Sequence, residues 1–181
     1  PSTFLSLGVL YKSIGNYSAA IENYKKAIIA NPNFAEAYYN IGIVQNIINE
    51  IDKSTNSYQK AIEIRPNYFQ AYNNLGTNKL LSSNVNGAIS DFQKALEIKP
   101  DYTDALYNIT DVLNSIIFNN PNSKVLSIIE TIIDKKIIVR PYEIANCAIS
   151  LMKFDNHLKC FFKKYTNKKI KKLLFEFINK F

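Results

Sequence analysis

The side chains that most often carry chemistry are few in this chain. His157 is the only histidine among 181 residues, so a two-histidine metal site is excluded and a Ser-His-Asp arrangement, which would have to be built on His157 alone, is not read. Cys147 and Cys160 have no CxxC spacing and no histidine at ligand spacing, and read as reduced structural thiols. The five glycines form no phosphate-cradling loop. Carboxylates at Glu36, Asp104 and Asp111 could in principle share acid/base work, but such a site needs a closed pocket. No catalytic residue, metal site or cofactor is assigned, and the chain is not read as an enzyme. What does recur is an amide: Asn40, Asn74 and Asn108 stand 34 residues apart. A carboxamide offers a donor and an acceptor together, which is what holding the N–H and C=O of an extended peptide requires. The chemistry to expect is recognition.

The elements that place those amides repeat with the same step. Gly8, Gly42 and Gly76 recur every 34 residues, as do Pro32, Pro66 and Pro100, the mark of stacked helical pairs rather than one globular core. Within each unit, positions 4, 7, 8 and 11 form one stripe of a helix. A small residue at 8 facing a small residue at 20 would let two antiparallel helices approach closely. The proline at 32 ends the second helix, since it cannot donate to the ladder and restricts the residue before it. First helices are expected at about 2–14, 35–48, 69–82 and 103–117, and second helices at about 18–30, 52–64 and 86–98.

The first unit reads Phe4, Leu7, Gly8, Tyr11, Ala20, Tyr24, Ala27, Pro32; the second Tyr38, Ile41, Gly42, Ser54, Tyr58, Ala61, Pro66; the third Tyr72, Leu75, Gly76, Ala88, Phe92, Ala95, Pro100. This resembles the tetratricopeptide repeat (TPR) family, with Phe or Tyr where its signature has Trp. Gln45 and Lys79 stand where the signature has Tyr, and Ser54 where it has Ala, which trims the fit of those pairs. A fourth first helix follows with Leu106, Ile109, Thr110 and Leu113, before Asn119, Asn120 and Pro121. The resemblance implies an all-α fold, a right-handed α-solenoid of antiparallel helix pairs followed by a helical C-terminal extension. The array spans 1–118, with repeats 1–34, 35–68, 69–102 and a partial 103–118. The basic extension, 119–181, is a cap on the array or a linker to a further domain.

Positions 2, 6, 9 and 13 of each first helix lie about 170° from the apolar stripe and should line the inner groove. They are Ser2, Ser6, Val9 and Ser13; Glu36, Asn40, Ile43 and Ile47; Gln70, Asn74, Thr77 and Leu81; Asp104, Asn108, Asp111 and Ser115. Leu5, Tyr39, Asn73 and Tyr107 lie beside them at position 5. None of these is basic. The three asparagines are similar to the asparagine ladder of O-linked N-acetylglucosamine transferase, which implies a hold on peptide main chain; Ser6 breaks the ladder in repeat 1. Asparagine is also common at position 6 of ordinary repeats, so a passive surface is the competing reading. A different branch of the family clamps carboxylate termini with Lys and Arg, and only Lys12 comes near such a position. With Glu36, Asp104 and Asp111 on the inner face, a neutral to basic extended peptide fits and a phosphate backbone does not.

Charge divides the chain. Residues 1–120 hold nine Lys and Arg against ten Asp and Glu, and residues 121–181 hold thirteen against five. The tail's lysines alternate with apolar residues at helical spacing, the pattern of a solvated outer face. Helices are expected at 123–136, 141–154, 156–164 and 167–180, each introduced by a cap or proline signal. Ile170, Leu173, Leu174, Phe177, Ile178 and Phe181 make an apolar stripe in the last. It docks as a cap on the array, lies on a membrane surface or packs on a further domain; the cap is the preferred expectation, and a membrane partner is not. No apolar run approaches the length of a membrane span, and an intracellular, cytoplasmic setting is expected. The chain starts at Pro1 in register with a repeat, as a piece lacking upstream repeats would, and a signal peptide would go unseen. The sequence implies a protein-interaction scaffold that holds a partner segment in its groove; the alternative is the substrate-recruiting arm of a larger glycosyltransferase, methyltransferase or sulfotransferase. It fixes neither partner identity nor oligomeric state.

Overall fold

A computed structural model describes residues 1–115, with side chains described as far as Leu113. The described residues form seven helices: α1 Ser2–Ser13, α2 Tyr17–Ala30, α3 Ala35–Ile47, α4 Ile51–Ile64, α5 Phe69–Leu81, α6 Val85–Ile98 and α7 Thr103–Ser115. The helices are joined by short turns, and the described residues contain no strand. The chain divides into two compact units, Pro1–Pro100 and Asp101–Phe181. The expected end of the array at 118 and the tail helices at 123–136, 141–154, 156–164 and 167–180 lie outside the described residues.

In the first unit each helix packs on the next, α1 on α2, α2 on α3 and so on to α6, and α1 also touches α3. The turn inside each pair repeats with the sequence. Gly15, Asn49 and Ser83 take left-handed φ values of 76°, 62° and 59°. The N–H of the following residue then returns to the carbonyl five residues back, Asn16 to Tyr11, Glu50 to Gln45 and Asn84 to Lys79, a Schellman closure of the first helix. Asn16 and Asn84 cap α2 and α6 by accepting from the N–H groups of Ala19 and Gly87. The second helices stop at Asn31, Arg65 and Lys99, whose backbones open to φ values of −150°, −128° and −131° because a proline follows each.

The close approach within each pair has a different cause from the one the spacing suggests. Position 8 meets the ring at position 24, not the alanine at 20. A Cβ on Gly42 would stand 2.6 Å from Cε1 of Tyr58, and one on Gly76 2.7 Å from Cε1 of Phe92; Gly8 faces Tyr24 in the same way. Tyr24, Tyr58 and Phe92 are buried, with Ala20, Ala27, Ala61, Ala88 and Ala95 around them at zero exposure.

Each departure from the repeat signature has a hydrogen-bonding or ionic partner of its own. Ser54 donates to the Gly42 carbonyl at 2.8 Å and accepts from the Asn78 amide at 3.0 Å. Gln45 accepts from Ser57 at 2.6 Å. Lys79 forms an ion pair with Asp91 at 2.7 Å. These are replacements matched on both sides of a helix contact rather than losses of fit.

In the second unit, α7 buries Ala105, Leu106, Ile109, Val112 and Leu113 along one face, and Thr110 bonds back to the Leu106 carbonyl at 2.7 Å.

Candidate recognition face

The face of the first helices opposite the core splits into a seam and an open strip. Position 6 lies in the seam between successive first helices. Lys12 of α1 donates to Oδ1 of Asn40 in α3 at 3.4 Å, and Asn40 Nδ2 donates to the Glu36 carbonyl one turn earlier at 2.8 Å. Asn40 is only 8% exposed. One junction on, Asn74 Nδ2 of α5 donates to the hydroxyls of Tyr39 at 3.3 Å and Tyr58 at 3.4 Å, and Asn74 Oδ1 accepts from Asn73 at 3.4 Å. The expected ladder positions therefore bind their neighbours: Asn40 retains one free amide hydrogen, and both of Asn74's are engaged.

Around that seam sits an aromatic cluster. Tyr39 lies 5.8 Å from Tyr58 and 4.8 Å from Tyr68, centroid to centroid, and the Arg65 guanidinium stands 4.7 Å over the Tyr68 ring. Burial pushes the Tyr58 hydroxyl up to about 12 against the pull of its bonds to Ser54 and Asn74. Burial raises Tyr68 further, with Tyr39 and Glu36 adding to it. Tyr58 and Tyr68 remain neutral phenols at physiological pH, able to donate and accept but not to act as bases.

One residue of this face differs from the expectation: Asn73, expected beside the groove, is buried at 5% exposure, and its Nδ2 donates to Asn74 Oδ1. Lys12, the one basic residue expected near the row, is held against Asn40, and positions 2, 5, 6, 9 and 13 carry no basic residue.

Positions 2, 9 and 13 form the open strip. Glu36 is exposed, Gln70 and Thr77 are half-buried, and Thr77 bonds back to the Asn73 carbonyl. Val9, Ile47 and Leu81 are 41%, 51% and 63% exposed, with Ile43 half-buried beside them. In the second unit Asp104, Tyr107 and Asp111 are exposed and Asn108 is half-buried. The sequence reading named these residues without seeing that the C-terminal half of the strip is apolar in α3 and α5. That signal was present in the isoleucines and leucine at 43, 47 and 81. Among the described residues no cluster of His, Cys, Asp or Glu could hold a metal ion, and no helix is long and apolar enough to cross a membrane.

Comparison with known proteins agrees with this architecture. The family model described as TPR repeat matches residues 5–46 and 47–77, and the one described as tetratricopeptide repeat matches 69–102. The chain belongs to the tetratricopeptide repeat family. Among solved structures it is similar to MamA, with a TM-score of 0.65 at 24% identity over 91% of this chain and 88% of that one. It is similar also to the first TPR of Spaghetti (RPAP3) bound to an HSP90 peptide, SRMEEVD, with a TM-score of 0.59 at 19% identity over 69% of this chain and 91% of that one. A third likeness is to Thermobaculum terrenum O-GlcNAc transferase, with a TM-score of 0.60 at 19% identity over 72% of this chain but only 25% of the enzyme. At these identities the likeness is one of fold. No curated protein matches the chain in sequence.

Proposed function

We propose that the TPR repeats form a protein-interaction scaffold whose first-helix face holds an extended peptide segment of neutral to basic character. The observation that carries this reading is the open strip along α1, α3 and α5, bordered by a hydrogen-bonding seam. The TPR of Spaghetti, similar in fold, is bound to a peptide, which supports a peptide as the kind of partner. The polar groups offered along this face are the remaining Asn40 amide hydrogen at the seam and the Gln70 and Thr77 side chains on the open strip. In the second unit, taken by itself, Asp104, Tyr107, Asn108 and Asp111 are the corresponding candidates on α7. Nucleic acid is disfavoured on the first-helix face of the first unit because Glu36 would meet phosphates, and on α7 of the second unit because Asp104 and Asp111 would. Replacing Asn40 with Ala should weaken capture of a peptide partner by about 1 kcal/mol, the worth of its one uncommitted amide hydrogen. Unchanged affinity in that variant, with the fold intact by circular dichroism, would remove Asn40 from the site.

A second reading rests on the likeness to a quarter of O-GlcNAc transferase: the repeats would be a recruiting arm for a larger enzyme. The natural full-length gene product decides between them. Glycosyltransferase, methyltransferase or sulfotransferase activity that falls when the strip is altered would favour the arm.

A further inference from the structure

Asn40 and Asn74 hold the same place in successive repeats and take different partners. Asn74 Nδ2 reaches inward to the Tyr58 hydroxyl, 16 residues earlier in the chain, at 3.4 Å. Tyr24 precedes Asn40 by the same interval, and each ring lies against the glycine of its own helix pair, Gly8 or Gly42, so a hydroxyl stands at the equivalent place for Asn40. Asn40 does not take it. Its Nδ2 donates to the Glu36 carbonyl at 2.8 Å and its Oδ1 accepts from Lys12 Nζ at 3.4 Å. The Tyr24 hydroxyl, on a side chain with no exposure, has no hydrogen-bond partner among the described residues. A buried hydroxyl left unpaired disfavours this arrangement, so another contact must hold Asn40 away.

The two junctions differ at positions 5 and 12. Position 5 is Tyr39 before Asn74, whose hydroxyl gives Asn74 another bond at 3.3 Å, and Leu5 before Asn40; leucine removes an attraction but holds nothing. The bond to Glu36 does not distinguish the two sites, because a carbonyl one turn back is present in both helices. Position 12 is Lys12 in α1 and Asn46 in α3, and Asn46 is committed to Asn78 rather than to Asn74. A lysine can only donate, so it fixes the oxygen of the Asn40 amide toward itself, and a bond from a charged donor is stronger than one between neutral groups. We infer that Lys12 is a positioning residue within the peptide-binding reading above, on which this role rests. It holds Asn40 Oδ1, keeps Nδ2 from turning to Tyr24, and leaves one amide hydrogen for a peptide carbonyl. Without Lys12 the amide turns inward, Tyr24 gains the partner that Tyr58 already has, and the hydrogen is withdrawn from the face.

The test uses the whole chain and begins with urea denaturation, where no peptide is needed. In the parent, Tyr24→Phe removes an unpaired oxygen and should not lower the midpoint. In the Lys12→Met background the same change removes a hydrogen bond and should lower it, as Tyr58→Phe does in the parent. Lys12→Arg keeps a charged donor, and Tyr24→Phe should again be harmless there. Binding is then measured on an array of short synthetic peptides of neutral to basic composition, each carrying lysine. Removing a cation from the face should by itself strengthen capture of such peptides, whereas withdrawal of the Asn40 hydrogen should weaken it by about fivefold. Lys12→Met should therefore weaken binding of the peptides that the parent captures, and should cause no loss in the Asn40→Ala background. An effect of Tyr24→Phe that is the same with and without Lys12 overturns the role of Lys12, as does peptide binding that holds or strengthens in Lys12→Met. An array on which no peptide binds the parent takes down the proposed function instead, and the denaturation series still decides whether Lys12 positions Asn40.

Discussion

Tyr24, Tyr58 and Phe92 occupy one place in three successive repeats and differ in what the end of the ring meets. The Tyr58 hydroxyl accepts from Asn74. The Tyr24 hydroxyl is buried without a hydrogen-bond partner among the described residues, because Asn40, which stands where Asn74 does, is turned toward Lys12 and its own helix. Phe92 needs no partner. Removing the oxygen should therefore have opposite effects at the two tyrosines. Tyr58→Phe should cost about 1 kcal/mol, and Tyr24→Phe should be neutral or stabilise by a similar amount; urea denaturation of the two variants would show it, and equal losses would contradict the account. Ser83 invites a second residue-scale change. It holds a φ of 59° where the other repeats use Gly15 and Asn49, residues that tolerate the left-handed region. An ordinary side chain there costs about 1–2 kcal/mol, and glycine returns part of the gain as unfolded-chain entropy. Ser83→Gly should raise the denaturation midpoint by about 1 kcal/mol equivalent at unchanged slope, since Ser83 is exposed and no packing is lost.

Between elements, the informative contacts link position 11 of a first helix to position 23 of its second helix. The occupants are Tyr11 and Asn23, Gln45 and Ser57, and Lys79 and Asp91, of which the last two pairs bond directly. Burial raises Asp91 above the ordinary carboxylate range although Lys79 pulls it down. The folded chain thus holds this proton more tightly than the unfolded one. The associated stability is whole below the ordinary carboxylate pKa and is lost as pH rises through the raised value. A half-buried ion pair with that sign is replaceable by a well-packed neutral pair. Lys79→Tyr with Asp91→Asn, the residues of repeat 1, should be at least as stable as the parent at neutral pH. Lys79→Tyr alone should cost about 2 kcal/mol by leaving a buried carboxylate unpaired, and a coupling near zero in this double-mutant cycle would refute the pairing. The junction of α3, α4 and α5 is tied in the same manner: Asn78, 1% exposed, bonds Ser54 and Thr55 and accepts from Asn46. The corresponding residue of repeat 2 is Val44. None of this was legible in the chain read repeat by repeat. Gln45, Ser54 and Lys79 looked like isolated departures because their partners lie on other helices.

At the scale of the whole molecule, the 34-residue step made the helices of the first unit legible almost to the residue, since Schellman turns and prolines recur with it. What the step could not supply was the relation between neighbouring first helices. Tyr39, Asn40 and Asn74 face sideways onto neighbouring helices, in a seam that a wheel drawn for one helix does not contain. The basic tail, for which helices and an apolar stripe were expected, lies outside the described residues. Within the first unit, stability should be unequal along the chain. α3 and α5 are flanked on both sides by second helices and bury Ile41 and Leu75 at 6% and 5% exposure. In α1 the corresponding Leu7 is 38% exposed, and Phe4, Leu10 and Ile14 beside it are open at 39%, 56% and 67%. A helix with fewer buried apolar contacts opens locally at lower free energy. Amides of α1 and α2 should therefore exchange with deuterium before those of α3 to α5, and equal or stronger protection in residues 2–30 would contradict the argument. Mutation should give the same gradient: Leu10→Ala should cost less than about 0.5 kcal/mol because it removes a mostly hydrated side chain. Val44→Ala, at the same repeat position but with no exposure, should cost about 2 kcal/mol through the cavity it leaves.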